Sequence, residues 1–206
     1  MKPKLTVIMP IYNAEDTLQR ALDSIPLAED TQIILLDDGS TDKSWQIALD
    51  WWRNNNHGPG SVIHRWEDNH GVAATMNLGF NLAQGEYIVS LSSDDYYKTN
   101  FDAFRPYLDG ENDLVYFDLE DNTGHIWHIT PDNKGIYVGA VKFMRREFLG
   151  DTRIPHLKWE EDVPFTQALY KKHPKEVFTG IVLKHYNFPR EGSLTWQKEH
   201  QNDANS

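Results

Sequence analysis

The strongest constraint on the fold lies in the first hundred residues, where short β-branched apolar runs alternate with amphipathic stretches. Residues 5–9, 33–36, 62–65 and 87–91 read as strands. The first and last are apolar almost without a break, as strands buried on both faces are. Between them, 15–25, 43–52 and 72–83 carry a helical period, and Ser40, Thr41 and Asp42 offer an N-cap to the second helix. This spacing predicts βαβ crossovers and a mostly parallel sheet. The second half is mixed. A strand over 114–119 leads through the turn Asn122-Thr123-Gly124 to 126–129, helices follow over 141–148 and 163–172, and 177–188 is extended. The predicted fold class is therefore α/β, a Rossmann-like central sheet flanked by helices with a mixed C-terminal half.

A chain of 206 residues has room for one core rather than two. The expected domain covers 1–196, with nucleotide handling over about 1–100, acceptor handling over about 101–196, and a polar tail at 197–206. There are no cysteines, which removes disulfides, thiol nucleophiles and cysteine–zinc sites. A formal charge of −11 argues against a nucleic-acid partner, which is held through its phosphates. The apolar run near the N-terminus is closed by Pro10, too short for a signal core, and no stretch is long enough to cross a membrane. A cytoplasmic protein, soluble or peripheral to a membrane, is expected.

Open α/β sheets bind ligands beyond the carboxyl ends of their strands. Three predicted strands end in polar loops: Pro10-Ile11-Tyr12-Asn13, then Asp37-Asp38-Gly39-Ser40-Thr41-Asp42, then Ser92-Ser93-Asp94-Asp95. The second is also good turn and cap chemistry, and the third also reads as a solvated loop. Two carboxylate pairs at two strand ends, in a chain already acidic, favour a bound cation, because clustered carboxylates repel one another.

Together these residues resemble the family-2 glycosyltransferases, which have the GT-A fold. The resemblance rests on Val7-Ile8-Met9-Pro10-Ile11-Tyr12-Asn13, Ile34-Leu35-Leu36-Asp37-Asp38-Gly39-Ser40-Thr41-Asp42 and Asn69-His70-Gly71-Val72-Ala73-Ala74. It continues through Asn77-Leu78-Gly79, Ala83-Gln84-Gly85-Glu86-Tyr87-Ile88, Leu91-Ser92-Ser93-Asp94-Asp95 and Trp159-Glu160-Glu161-Asp162. It is close over 4–100 and looser to about 195. It implies a nucleoside cradle of Pro10, Tyr12, Asn13 and Glu15, with Asp38 reading the base and Asp37 as the second candidate. Asn69, Gly71 and Asn77 would shape the same pocket, although Gly71 and Gly79 also read as residues that only permit tight turns or close packing.

The family's metal motif is Asp-x-Asp within Asp-Ser-Asp-Asp, and here Ser92 stands in the first aspartate's place. The resemblance then gives the Mn²⁺ or Mg²⁺ contact to Asp94, with Asp95 and His185 as further candidates. Ser92 and Ser93 would face the nucleotide. One lost carboxylate weakens rather than removes a site that also uses donor phosphates. By the same resemblance Asp162 is the general base of an inverting hexosyltransferase, beside Glu161 and Trp159 on the acceptor side, and Arg190 reaches the diphosphate. On sequence alone Asp162-Val163-Pro164 is equally a helix start. The implied partners are a nucleotide-sugar donor, a UDP-sugar by family frequency, and a saccharide or glycoconjugate acceptor. The alternative is a non-catalytic nucleotide-sugar-binding relative, favoured by Ser92. A sugar nucleotidyltransferase would need a Gly-rich first loop with Arg and Lys, and a dehydrogenase a G-x-G-x-x-G; neither is present.

Overall fold

The computed structural model describes residues 2–134, 141–157 and 162–189. Strands β1 (Leu5–Ile11), β2 (Thr31–Asp38), β3 (Val62–Trp66) and β4 (Tyr87–Ser90) alternate with helices α1 (Leu18–Asp23), α2 (Ser44–Asn54) and α3 (Val72–Leu82). The four strands are mutually parallel in the order β3-β2-β1-β4. Leu5, Val7, Ile8, Met9 and Ile33 through Leu36 are buried, which is why these strands read as unbroken apolar runs. Two buried polar residues of that layer, Thr6 and Gln32, are paired: the Thr6 hydroxyl donates to Gln32 Oε1 at 2.7 Å.

The sheet then continues past β4 as one surface. After β5 (Tyr96–Tyr97) and a 3₁₀ helix (Phe101–Tyr107) come β6 (Leu114–Asp121), β7 (Ile126–Trp127) and β8 (Lys142–Arg145). The short α4 (Arg146–Leu149), α5 (Asp162–Tyr170) and β9 (Glu176–Tyr186) complete the described chain. The whole order is β3-β2-β1-β4-β8-β6-β9-β5, with β7 on β6. β8 is antiparallel to both neighbours, so β6 and β9 again run the same way as β1. The carboxyl ends of β1, β2, β4, β6 and β9 therefore share one rim.

The helix expected over 141–148 is a correction. Residues 142–145 are a strand between β4 and β6, and only 146–149 are helical. Val141, Phe143, Met144 and Phe148 fit either period, and the inward-facing Lys142 disguised a strand buried among its neighbours as an amphipathic turn. The expected strand over 126–129 shortens to two residues, because the Ile129 amide turns away to donate to Asp118 at 2.9 Å.

Candidate active site

Strand order reverses at β1 and β4, and the loops that follow them bound a crevice. The loops after β1 and β2 are sewn together by reciprocal bonds. The Asn13 amide donates to Ser40 Oγ at 3.0 Å, and Asn13 Oδ1 accepts from the Thr41 amide at 2.9 Å. Its φ of +46° is a left-handed conformation that asparagine tolerates better than most residues. One residue on, the Ala14 amide donates to Ser44 Oγ at 2.7 Å. The Glu15 amide donates to Asp42 Oδ2 at 3.0 Å, and the Glu15 carboxylate accepts from the Lys43 amide at 3.1 Å. Pro10 is half-buried at the end of β1, while Tyr12 stands 49% exposed beside this cradle.

Asp37 and Asp38 are both buried but differently occupied. Asp38 accepts from the amides of His70 at 2.7 Å and Gly71 at 2.9 Å, closing the N-terminus of α3. Gly71, at φ +86°, makes the turn that lets both amides converge, and Asn69 is exposed beside it. Asp37 Oδ1 accepts from the Ser40 amide at 3.1 Å and lies 3.4 Å from Arg65 Nε. Among the described residues, Asp37 Oδ2 has no hydrogen-bond partner.

The loop after β4 is held from both sides. The Thr17 hydroxyl donates to the Ser93 carbonyl at 3.0 Å, and Arg20 donates to the Asp94 carbonyl at 3.3 Å. Arg20 also lies over the Tyr96 ring at 4.6 Å. Asp95 points inward: its carboxylate pairs with the buried Lys184 ammonium at 2.8 Å and accepts from the Asn187 amide at 2.9 Å. Ser92, Ser93 and Asp94 are half-buried at the rim. His185 stacks on Tyr96 at 4.5 Å and holds Asn122 Oδ1 at 2.9 Å through Nε2. Burial, and next the charge of Arg20, keep its pKa below the ordinary histidine value, so it is neutral at pH 7 and its Nε2–H donates to Asn122. No three acidic or histidine side chains converge as a metal cluster among the described residues.

In the second half of the chain, Asp162 opens α5, where its charge complements the helix N-terminus. Phe165, one turn on, stacks on Phe80 of α3 at 5.7 Å, so the amino-terminal turn of α5 lies against α3. Asn77, also on α3, is a clamp: its Nδ2 donates to the Ile154 carbonyl at 2.8 Å and its Oδ1 accepts from the Ile154 amide at 2.9 Å. Glycine at 79 serves close packing, because a Cβ there would sit 2.5 Å from Ile8 Cγ2. Trp159, Glu161 and Arg190 lie outside the described residues.

Sequence reasoning missed Arg20, Arg65, Lys142 and Lys184. For Lys142 and Lys184 the usable signal was a charged residue inside an apolar strand, which must find a partner when buried; Arg20 and Arg65 are exposed and carried no such signal. Lys142 is 3% exposed, and its pKa falls to about 8, first because of burial, with Asp162 and then Glu176 opposing the fall.

A sequence model of Glycosyl transferase family 2 matches residues 6–172. An uncharacterized glycosyltransferase of Haemophilus influenzae is 30% identical over 94% of this chain and 81% of its own length. A poly(ribitol-phosphate) beta-glucosyltransferase of Bacillus spizizenii is 28% identical over 92% of this chain but only 33% of its own length. Among solved structures, Staphylococcus aureus TarS 1-349 in complex with UDP-GlcNAc superposes with a TM-score of 0.77 at 23% identity, covering 92% of this chain and 60% of that one. A mannosyltransferase of Pyrobaculum calidifontis in complex with GDP-Man and Mn²⁺ gives 0.73 at 17% identity, over 96% of this chain and 60% of that one. At those identities the likeness is one of fold.

Proposed function

The chain belongs to glycosyl transferase family 2, and from that premise we propose that it transfers a hexosyl unit from a UDP-sugar to an acceptor hydroxyl, with inversion at the anomeric carbon. What supports this reading is the match to the family model together with three polar loops that follow parallel strands at one rim, with Asp162 opening the helix α5 that packs on α3 through Phe165 and Phe80. The Asn13–Thr41 and Glu15–Lys43 bonds pre-form the nucleoside cradle, so little loop ordering is left to binding. Asp37 is the base reader, because Asp38 is committed to two backbone amides. Uracil presents acceptor, donor, acceptor along one edge, which the Asp37 carboxylate and the Arg65 guanidinium complement once Arg65 slides off Asp37.

The residues fit a divalent cation only in company with the donor. Asp95 pairs with Lys184 and His185 holds Asn122, and Asp94, half-buried at the rim and matching the family's metal motif, is the carboxylate that would hold Mn²⁺ or Mg²⁺ together with the donor diphosphate. Bound there, such an ion would supply positive charge against the charge growing on the leaving diphosphate. Asp162 takes the proton of the acceptor hydroxyl as that oxygen attacks the face opposite the leaving group. The acceptor is a saccharide or glycoconjugate, met on the cytoplasmic side of a membrane. No helix among the described residues is long and apolar enough to span one.

Isothermal titration of UDP and UDP-GlcNAc with and without Mn²⁺, followed by UDP release on turnover, tests the proposal. Metal-dependent affinity lost in Asp94→Ala, and turnover lost in Asp162→Asn with affinity kept, are the expected results. Unchanged turnover in Asp162→Asn removes it as base. Affinity without any turnover favours a binding relative, to which Ser92 would point.

A further inference from the structure

Asp118 and His128 form a pair outside the groups assigned to transfer. Asp118 on β6 is 1% exposed, and both its oxygens are occupied. Oδ1 accepts from the Ile129 amide at 2.9 Å, and Oδ2 lies 2.6 Å from His128 Nδ1. The imidazole itself is 68% exposed. Its backbone is fixed as well: Asn133 Nδ2 donates to the His128 carbonyl at 2.7 Å, and Asn133 Oδ1 accepts from the Thr130 amide at 2.8 Å. Among the described residues His128 Nε2 has no hydrogen-bond partner.

The sheet register fixes where this ring stands. Leu119 and Glu120 pair with β9 on one edge of β6 and with β7 on the other, the edge that β8 takes lower down. β7 therefore continues the lane of β8 toward the rim, in the lane next to β4, whose end leads into the acidic loop. Paired residues share a face, and so do residues two apart on a strand. By that rule Asp118 shares a face with Leu114, Met144, Ile88 and Ile8, and α3 packs on Ile8 at Gly79. α5 rests on α3 through Phe165 and reaches Tyr116 of the same face through Tyr170. The pair thus lies on the face that bears α3 and α5, the helix that Asp162 opens. Ile126, the register partner of Glu120, is exposed on this face too.

We propose that His128, steered by Asp118, is a sugar-binding residue at the transfer site, its Nε2 hydrogen-bonded to a hydroxyl of the donor or acceptor saccharide. This rests on the reading of the rim as a glycosyl-transfer site. A hydroxyl donates to the lone pair of a neutral ring and accepts from a charged one, so the bond forms in either state. The buried carboxylate sets the ring before the sugar arrives, which lowers the ordering cost of binding. Ile126 offers an apolar surface to the C–H face of a pyranose.

The test is ¹H–¹⁵N NMR of the histidine rings, titrated with UDP, UDP-glucose, UDP-GlcNAc and, with UDP present, methyl β-glucoside. The His128 signal is identified by its loss in His128→Asn, whose amide still donates to Asp118 but which lacks Nε2. A His128 shift with a UDP-sugar beyond that with UDP assigns the donor sugar, and a shift with the glucoside assigns the acceptor. His128→Asn should then weaken binding of that sugar about two- to tenfold at unchanged UDP affinity, and His128→Gln, with a polar group near the Nε2 position, should recover part of it. Asp118→Asn should move the neutral ring's proton from Nδ1 to Nε2, which the two ring ¹⁵N shifts report. A His128 signal that no sugar moves overturns the proposal, and so does equal sugar affinity in His128→Asn. If UDP itself moves no amide around Asn13 and Asp37, the transfer-site reading fails, and the sugar site with it.

Discussion

Replacing Asn77 by alanine tests whether the segment around Ile154 is tied to α3 as the structure shows. Asn77 makes both hydrogen bonds of one backbone unit, at 2.8 and 2.9 Å to Ile154. Each contributes about 0.5–1.5 kcal/mol net, and alanine leaves a part-buried carbonyl and amide without that partner. The expected loss is about 2 kcal/mol. For a chain of this size that lowers the melting temperature by about 4–8 °C. Asn77→Asp should do no better at pH 7, because it keeps the acceptor for the Ile154 amide but sets a carboxylate against the Ile154 carbonyl. Differential scanning calorimetry measures both variants. Ile154 lies shortly before Asp162 in the chain, so turnover should fall more than UDP affinity. A melting temperature within about 1 °C of the parent would refute the clamp.

Gly79→Ala should lose about 1–3 kcal/mol in urea unfolding, because its Cβ meets Ile8 Cγ2 at 2.5 Å. The loss should shrink in an Ile8→Ala background and persist in Ile8→Val, which keeps Cγ2. Lys142 titrates at about 8 in the folded chain and 10.5 unfolded, so the unfolded state holds the extra proton between those values. Stability from this group therefore rises from pH 8 to 10.5, by about 3 kcal/mol in all. Urea unfolding of Lys142→Met should lack that rise and show the more stable protein at pH 7. Asp38→Asn should cost about 1 kcal/mol of stability by uncapping α3, with UDP affinity less affected. Asp37→Asn should lower UDP affinity about tenfold with a smaller change in stability, and calorimetry separates the two.

The parallel half was legible because burial on both faces leaves a continuous apolar run, and polar loops follow each such run at the carboxyl-end rim. The helix start at Asp162 was legible in its local sequence, whereas the role proposed for it comes only through a likeness of motif. β8 was illegible, because four apolar residues around Lys142 satisfy two periods and only the pairing with β4 and β6 decides between them. The occupancy of the acidic residues was hidden for a related reason. Nothing near Asp95 in sequence announces Lys184, and nothing near Asp38 says that two amides will claim it before a nucleobase does.

The pairing of β5 with β9 has a consequence for the order of events at the ribosome. Tyr96 follows directly on the acidic loop, yet its register partner is His185, and Asp95 waits for Lys184. The strands β1 to β4 and their helices can form from local crossovers while the chain is still being made, whereas contacts of such sequence separation come late. A nascent chain that has emerged only through β8 can form the bonded loops after β1 and β2 but not the set of its acidic loop. That loop is therefore fixed only when β9 arrives, after the parallel half has already taken shape.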